Sequence, residues 1–200
     1  MTRYALIVVD VQNDFCPGGA LAVKNGDKII PELNQVIAAF ENAGLPIFLT
    51  RDWHPTNHIS FKKQGGVWPP HCVANTHGAA FHPQLLLPKN ARTVSKATGP
   101  DEEAYSGFQG TDLEDELRKH QVEALVVGGL ATDYCVKNTV LDGLKSGFRV
   151  RVLKDCVKGV NLKKTDSAVS LRQMRDKGAD MTSSREVSKL LRRVPLLSSS

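Results

Sequence analysis

Short apolar stretches alternate with longer amphipathic stretches along the whole chain. The short stretches are rich in Val, Ile and Leu and do not alternate with polar residues, which is typical of strands buried on both faces of a parallel sheet. They predict six strands, at residues 4–9, 46–50, 92–95, 124–127, 149–153 and 179–182. The periodicity of the longer stretches predicts helices at residues 27–43, 112–120, 133–145, 164–177 and 184–192.

The alternation of strands and helices sets the fold class. We expect an α/β fold, a single-domain doubly wound (Rossmann-like) sheet that is mostly parallel, with about six strands and helices on both faces. Glycines at 44, 147 and 178 follow the last turns of three predicted helices, where a left-handed residue commonly ends a helix. We expect one domain over residues 1–194 and a flexible C-terminal tail over residues 195–200.

Composition and charge narrow the class of protein. The 200 residues are 41% hydrophobic and 24% charged, as in ordinary globular domains. The formal charge of +5 comes from scattered Lys and Arg, which indicates a solvated surface rather than a nucleic-acid site. No apolar run is long enough to span a bilayer, and the N-terminus lacks a secretory pattern. We therefore expect a cytoplasmic protein without nucleic-acid or membrane partners.

Chemistry-bearing residues follow four of the predicted strands. Ligands of open parallel sheets bind at the carboxyl ends of the strands. Asp10 follows the first strand, Asp52 and His54 the second, Lys96 ends the third, and Cys135 follows the fourth. The sequence therefore predicts an acid, a base, a thiol and two metal ligands at one edge of the sheet.

Cys135 is the predicted nucleophile. The four cysteines form no CxxC pair, so free thiols are expected rather than disulfides. Only Cys135 lies where a strand passes into a helix, with Thr132 or Asp133 as the cap, and a thiol in the first turn of a helix is expected to have a lowered pKa. The alternative is a small buried residue, which we favour for the other three cysteines.

Asp10 and Lys96 have simple structural alternatives as well. An isolated carboxylate at a strand end is suited to taking the thiol proton and returning it to a leaving amine. Alternatively, Asp10 caps a turn and Lys96 is a surface lysine.

A long irregular segment, residues 51–89, holds both tryptophans and five of the six histidines. Such segments are usually functional loops. Asp52, His54 and His71 predict a divalent metal site with open positions, and His58 is the candidate for a fourth ligand. The alternative is a set of hydrogen-bonded loop histidines.

Long motifs give the chain a family resemblance. DVQNDFCPGGALAV, RDWHPTNHISF, GGVWPPHCV, EAYSGF and GGLATDYCVKNTVLD occur in order. Together they resemble the nicotinamidase/pyrazinamidase family of the isochorismatase-like cysteine hydrolases, from residue 4 to about residue 184. The ATDYCV motif is shared by the superfamily, whereas RDWHP with WPPHCV narrows the resemblance to nicotinamidases.

The resemblance implies a role for each matching residue. It implies a catalytic triad of Asp10, Lys96 and Cys135, and metal ligation by Asp52, His54 and His71, with His58 unresolved. It also implies a cis Leu130–Ala131 bond and an oxyanion hole formed by the Ala131 and Cys135 amides. The pocket walls would be Phe15, Trp68 and Tyr105. The departures are Glu103 in place of the commoner Asp and VSKAT in place of VxKG around Lys96.

The resemblance also implies an activity. It is hydrolysis of nicotinamide to nicotinate and ammonia through a cysteine thioester, assisted by one divalent transition metal ion (zinc ahead of iron or manganese), in NAD salvage. Pyrazinamide is a further expected substrate, and a homo-oligomer is left open. One alternative is a related hydrolase of carbamoyl or ureido substrates, which needs neither RDWHP nor WPPH. The other is a nucleotide-binding module, disfavoured because no GxGxxG turn follows the first strand.

Overall fold

Six parallel strands form one sheet in a computed structural model that describes residues 2–192. The spatial order is β3-β2-β1-β4-β5-β6. The bounds are β1 Tyr4–Val9, β2 Ile47–Asp52, β3 Arg92–Lys96, β4 Ala124–Leu130, β5 Arg149–Lys158 and β6 Asp180–Thr182. The predicted α/β sheet is confirmed, and among the described residues it is parallel throughout.

Within residues 2–192, five α-helices connect or follow the strands, as predicted. They are α1 Ile30–Asn42, α2 Leu113–Lys119, α3 Lys137–Lys145, α4 Asp166–Asp176 and α5 Ser184–Leu191. A 3-10 turn, Gly26–Ile29, precedes α1, and a π-helical turn, Thr132–Val136, precedes α3. Gly44, Gly147 and Gly178 have positive φ angles of 64°, 85° and 106°, so the predicted helix ends are confirmed.

The core lies on both faces of the sheet because successive side chains of a strand point to opposite sides. On one face, Leu6 and Val8 of β1 belong to the same buried cluster as residues of α1 and α5. On the other face, Ala5 and Ile7 belong to a cluster with residues of α2, α3 and α4. An unbroken apolar β1 therefore serves two cores, which explains why it shows no alternation in sequence.

Some predicted boundaries were wrong. Cys156 was expected after the fifth strand but lies within β5, which runs on to Lys158 and pairs again with β4 after a register shift between Val127 and Gly129. The predicted strand ended too early because the exposed Lys154 and Asp155 interrupt the apolar run. The predicted tail, residues 195–200, lies outside the described residues. Within those residues, no helix combines the length and apolar character that crossing a bilayer requires.

The strand order reverses at β1, which pairs with β2 on one side and β4 on the other. The chain leaves the carboxyl end of β1 toward β2 and that of β4 toward β5, in opposite directions, so a crevice opens between β1 and β4. The residues after β1 and β4, and those at the ends of β2 and β3, face this crevice. The topology thus places the candidate residues at one edge.

Gly129 allows β4 to approach β1 closely at this edge. Its φ angle is 128°, and a Cβ added there would overlap the Val9 carbonyl oxygen. Gly147 also has a positive φ, but a Cβ there would meet open space.

We expect Gly129→Ala to lower the free energy of unfolding by more than about 3 kcal/mol, because the strands must separate. Gly147→Ala should cost only the left-handed backbone penalty of roughly 1–2 kcal/mol. Urea unfolding followed by circular dichroism measures both. Equal losses in the two variants would contradict this account of the β1–β4 contact.

Candidate active site

Lys96 ends β3 with its side chain fully buried, and its ammonium group contacts the other polar groups of the site. The Nζ atom lies 3.1 Å from Asp10 Oδ2, contacts Asp52 Oδ1, and donates to the Ala104 carbonyl at 3.2 Å. It lies 3.7 Å from Cys135 Sγ. A buried charge is costly unless it is paired, and here two carboxylates pair it. Lys96 is therefore not the surface lysine of the alternative interpretation.

Asp10 is fixed by β2 as well as by Lys96. Thr50 Oγ1 donates to Asp10 Oδ1 at 2.6 Å, and the Asp10 N–H donates to the Thr50 carbonyl at 3.1 Å. Burial raises the pKa of Asp10 above its ordinary value, against the opposing effect of Lys96, and the nearby Asp52 raises it further. A carboxylate with a raised pKa is a stronger proton acceptor, as a general base requires.

Cys135 lies within the π-helical turn Thr132–Val136, facing these carboxylates. Its sulfur and carboxylate oxygens of Asp10 and Asp52 lie within 4.8 Å of one another. Burial raises the pKa of Cys135 well above its ordinary value; Asp10 and Asp52 raise it further, while Lys96 lowers it. The predicted lowering of this pKa was therefore wrong, because loss of water and two carboxylates outweigh the lysine. The resting group is the thiol, so it needs a base.

The predicted helix cap was also wrong. The residue that caps the turn is Ala131, without a side-chain hydrogen bond. The Asp133 carboxylate instead accepts the backbone N–H groups of Val160 at 2.9 Å and Asn161 at 2.7 Å. Asp133 therefore fixes the loop after β5, beside the site, rather than the start of its own helix.

The other three cysteines are buried as well. Cys16, Cys72 and Cys156 are at most 1% exposed, and all four cysteines are free. Burial raises the pKa of Cys16 to about 11 and that of Cys72 well above its ordinary value. Cys135 is the one that lines the cleft described below.

Asp52, His54 and His71 form a buried cluster whose ligand atoms lie within 4.8 Å of one another. The ring Nδ1 of His54 lies 3.1 Å from the Ala97 carbonyl, and that of His71 lies 2.8 Å from the Pro69 carbonyl. A carbonyl partner requires the proton on Nδ1, which leaves the Nε2 lone pair free for a metal. Burial lowers the pKa of His71, which favours the neutral, ligating form. This donor set fits a divalent transition metal ion.

His58, the candidate for a fourth ligand, is engaged elsewhere. Its ring stacks on that of His54 with centroids 4.0 Å apart. Its Nδ1 lies 2.7 Å from Ser60 Oγ and its Nε2 lies 3.0 Å from the Glu102 carbonyl. With both nitrogens partnered, His58 supports the His54 ring and stands outside the donor cluster.

A narrow cleft joins the Cys135 thiol to the metal-type cluster, Asp52, His54 and His71. Trp68 Nε1 donates to the Tyr105 hydroxyl at 3.0 Å, and the Tyr134 ring lies 5.3 Å from that of Trp68. The lining residues are Phe15, Leu21, Asp52, Trp68, His71, Tyr105, Ala131, Tyr134, Cys135 and Val160. The cleft thus has aromatic walls and a polar floor.

Three lining residues escaped the sequence prediction. Tyr134 precedes Cys135 in the ATDYC segment, and this adjacency was the available signal. Leu21 and Val160 lie in loops and carry no local signal. A larger groove of about 460 Å³ lies between α1 and α5, but it holds none of the acid, base, thiol or metal-type residues.

The Leu130–Ala131 peptide bond is cis, as the resemblance implied. The Ala131 carbonyl accepts the N–H groups of Tyr134 and Val136, both at 3.1 Å. Ala131 and Cys135 both line the cleft.

Comparisons with known proteins agree with this geometry. Residues 4–186 match the isochorismatase domain. The nicotinamidase of Escherichia coli (strain K12) is 42% identical over 202 residues, which cover 90% of this chain and 95% of that protein.

Two solved structures are similar over most of their length. The pyrazinamidase of Pyrococcus horikoshii in complex with zinc has a TM-score of 0.87 and 52% identity, covering 90% of this chain and 99% of that one. PnC1 from L. infantum in complex with nicotinate has a TM-score of 0.83 and 31% identity, covering 92% of this chain and 94% of that one.

We expect iodoacetamide to label Cys135 ahead of the other cysteines in the folded protein, because its sulfur borders the cleft. The labelling rate should still be rising beyond pH 9.0, the ordinary pKa of a thiol, because the pKa of Cys135 is raised. Peptide mass spectrometry locates the label, with Cys156→Ala as the control for Cys135→Ala. Unchanged labelling of the Cys135→Ala protein would contradict the assignment.

Proposed function

The chain belongs to the isochorismatase domain family, and on this premise we propose that it is a nicotinamidase, which hydrolyses nicotinamide to nicotinate and ammonia. One observation carries the proposal: the Cys135 thiol lies against Lys96 and Asp10, in an aromatic cleft that also contains Asp52 and His71. Cys135, Lys96 and Asp10 supply the chemistry of acyl transfer. The aromatic cleft with Asp52 and His71 positions a heteroaromatic amide. The relatives named above support the same substrate class.

In the first half of the reaction, Asp10 takes the proton of Cys135 as the sulfur attacks the carboxamide carbon. The C–S bond forms and the carbonyl oxygen becomes an oxyanion, for which the backbone amides of Ala131 and Cys135 are the proposed donors. Asp10 then gives its proton to the amide nitrogen, the C–N bond breaks, and ammonia leaves. The raised pKa of Asp10 suits both transfers.

In the second half, a water molecule attacks the thioester while Asp10 takes one of its protons. The C–S bond breaks, the proton held by Asp10 returns to the Cys135 sulfur, and the nicotinic acid that forms loses its remaining proton to solvent to give nicotinate. Lys96 holds Asp10 in place throughout and compensates the negative charge that passes between the carboxylate and the sulfur. Substrate and product both need a flat, apolar space, which Phe15, Trp68 and Tyr105 provide.

Asp52, His54 and His71 would hold a divalent metal ion in this cleft, and we propose zinc. When bound, the ion would act as a Lewis acid that orients the substrate through its pyridine nitrogen and polarises water. The chain's own part is to hold these three side chains by the Ala97 and Pro69 carbonyls and by Lys96.

The alternatives are weaker. A carbamoyl or ureido hydrolase would share the triad but would have no use for the Asp52–His54–His71 cluster. A nucleotide-binding module is contradicted by the reactive groups at the sheet edge. Pyrazinamide, a flat amide with the same ring nitrogen, is a further proposed substrate. We also propose a cytoplasmic role in NAD salvage, by analogy with the activity of the relatives.

Asp10→Asn keeps the size of the side chain but cannot accept the thiol proton. We expect kcat to fall by about a hundred- to ten-thousand-fold, the usual contribution of a general acid–base group. An ammonia-release assay with nicotinamide measures the loss, and circular dichroism checks the fold. A loss of only a few-fold would assign Asp10 a structural role.

Metal removal tests the role of Asp52, His54 and His71. Exhaustive chelation should abolish ammonia release, and added zinc should restore it. His54→Ala should raise KM and lower kcat, whereas His77→Ala, in the same long loop but outside the cluster, should change neither. Metal analysis should find about one ion per chain, as one ligand cluster requires. Full activity after chelation would contradict the metal-assisted reaction.

A further inference from the structure

Gln12 is fully buried two residues after Asp10, and the reaction above does not use it. Its side-chain amide contacts the backbone of one residue twice. Oε1 accepts the Asp52 N–H at 2.8 Å, and Nε2 donates to the Asp52 carbonyl at 2.8 Å. The amide therefore satisfies both backbone hydrogen-bonding groups of a proposed metal ligand.

The second Nε2 proton has a partner as well. It donates to the Ala79 carbonyl at 2.9 Å, and the Gln12 backbone pairs with Phe81. The Gln12 N–H donates to the Asp10 carbonyl at 2.8 Å. One side chain thus joins the end of β1, the end of β2 and the long loop, with both amide protons used.

The sheet explains why a side chain is needed here. Pairing of β1 with β2 ends at Val9 and Thr50, because Asp10 turns away with a φ of 47°. Asp52 still pairs with Lys96 of β3 on its other side. On the β1 side its buried N–H and carbonyl would have no strand to pair with, which is costly. The Gln12 amide replaces the missing strand and extends the ladder.

We propose that Gln12 is a positioning residue for the metal centre. By fixing the Asp52 backbone, it sets the carboxylate at the point where one oxygen contacts Lys96 and the other lies 3.5 Å from His54 Nε2. This role rests on the metal site of the proposed function. Gln12 touches no reacting atom, so its effect on the reaction passes through Asp52.

Gln12→Met tests the role because it keeps the length of the side chain and removes all three hydrogen bonds. The matched control is Asn34→Leu, since Asn34 also binds a backbone twice, accepting the Leu86 N–H at 2.8 Å and donating to the Gln84 carbonyl at 2.7 Å. Asn34 lies on α1, outside the candidate site. Zinc affinity is measured by competition with a chromophoric chelator, alongside Tm, KM and kcat.

We expect Gln12→Met to weaken zinc binding by about 10- to 100-fold, the usual effect of losing a group that orients a ligand. KM should rise, and excess zinc should restore part of kcat. Asn34→Leu should lower Tm while zinc affinity stays at the wild-type value. If Gln12→Met does not fold, Gln12→Asn, one methylene too short to span both Asp52 groups, should show the same loss of affinity.

Wild-type zinc affinity in a folded Gln12→Met or Gln12→Asn protein, whatever its Tm, would overturn the positioning role and leave the proposed metal site intact. A wild-type protein that binds no zinc would overturn the metal centre and this role with it. The two failures are therefore distinguished by the wild-type titration.

Discussion

One buried lysine between two carboxylates is the interaction on which the rest of the site depends. Lys96 carries a single positive charge, while Asp10 and Asp52 together carry two negative charges when ionised. Burial raises the pKa of the Cys135 thiol, and the two carboxylates raise it further because a thiolate would add a third negative charge beside them. Burial and the two carboxylates together therefore keep the nucleophile protonated at rest and make proton transfer to Asp10 part of the attack.

The same lysine divides the site into two connected halves. Asp10, on one side, serves the thiol, and Asp52, on the other, belongs to the metal-type cluster with His54 and His71. Burial raises the pKa of Asp52 on its own, but Lys96 and His54 together hold it below its ordinary value, so this carboxylate stays ionised as a ligand. Two carboxylates next to one lysine thus acquire different roles from their surroundings.

The sequence could predict this arrangement to the extent that sheet topology determines it. Asp10, Asp52 and Lys96 follow or end apolar strands, and parallel strands bring their carboxyl ends together, so their meeting was foreseeable. The pKa of Cys135 was not, because helix position suggests a lowered value and only the folded structure reveals the burial and the two carboxylates. His58 shows the same limit: its spacing suits a ligand, but Ser60 and Glu102 take both nitrogens. Gln12 and Tyr134 had no periodic signal, since their roles arise from contacts distant in sequence.

Acyl transfer to Cys135 is tested most directly by competition with hydroxylamine during turnover of nicotinamide. A thioester partitions between water and the added nucleophile, so nicotinohydroxamate should form at the expense of nicotinate as hydroxylamine increases, while ammonia release continues. The Cys135→Ala protein should form neither product. Nicotinate as the sole product at every hydroxylamine concentration, with ammonia released at the full rate, would contradict a covalent intermediate on Cys135.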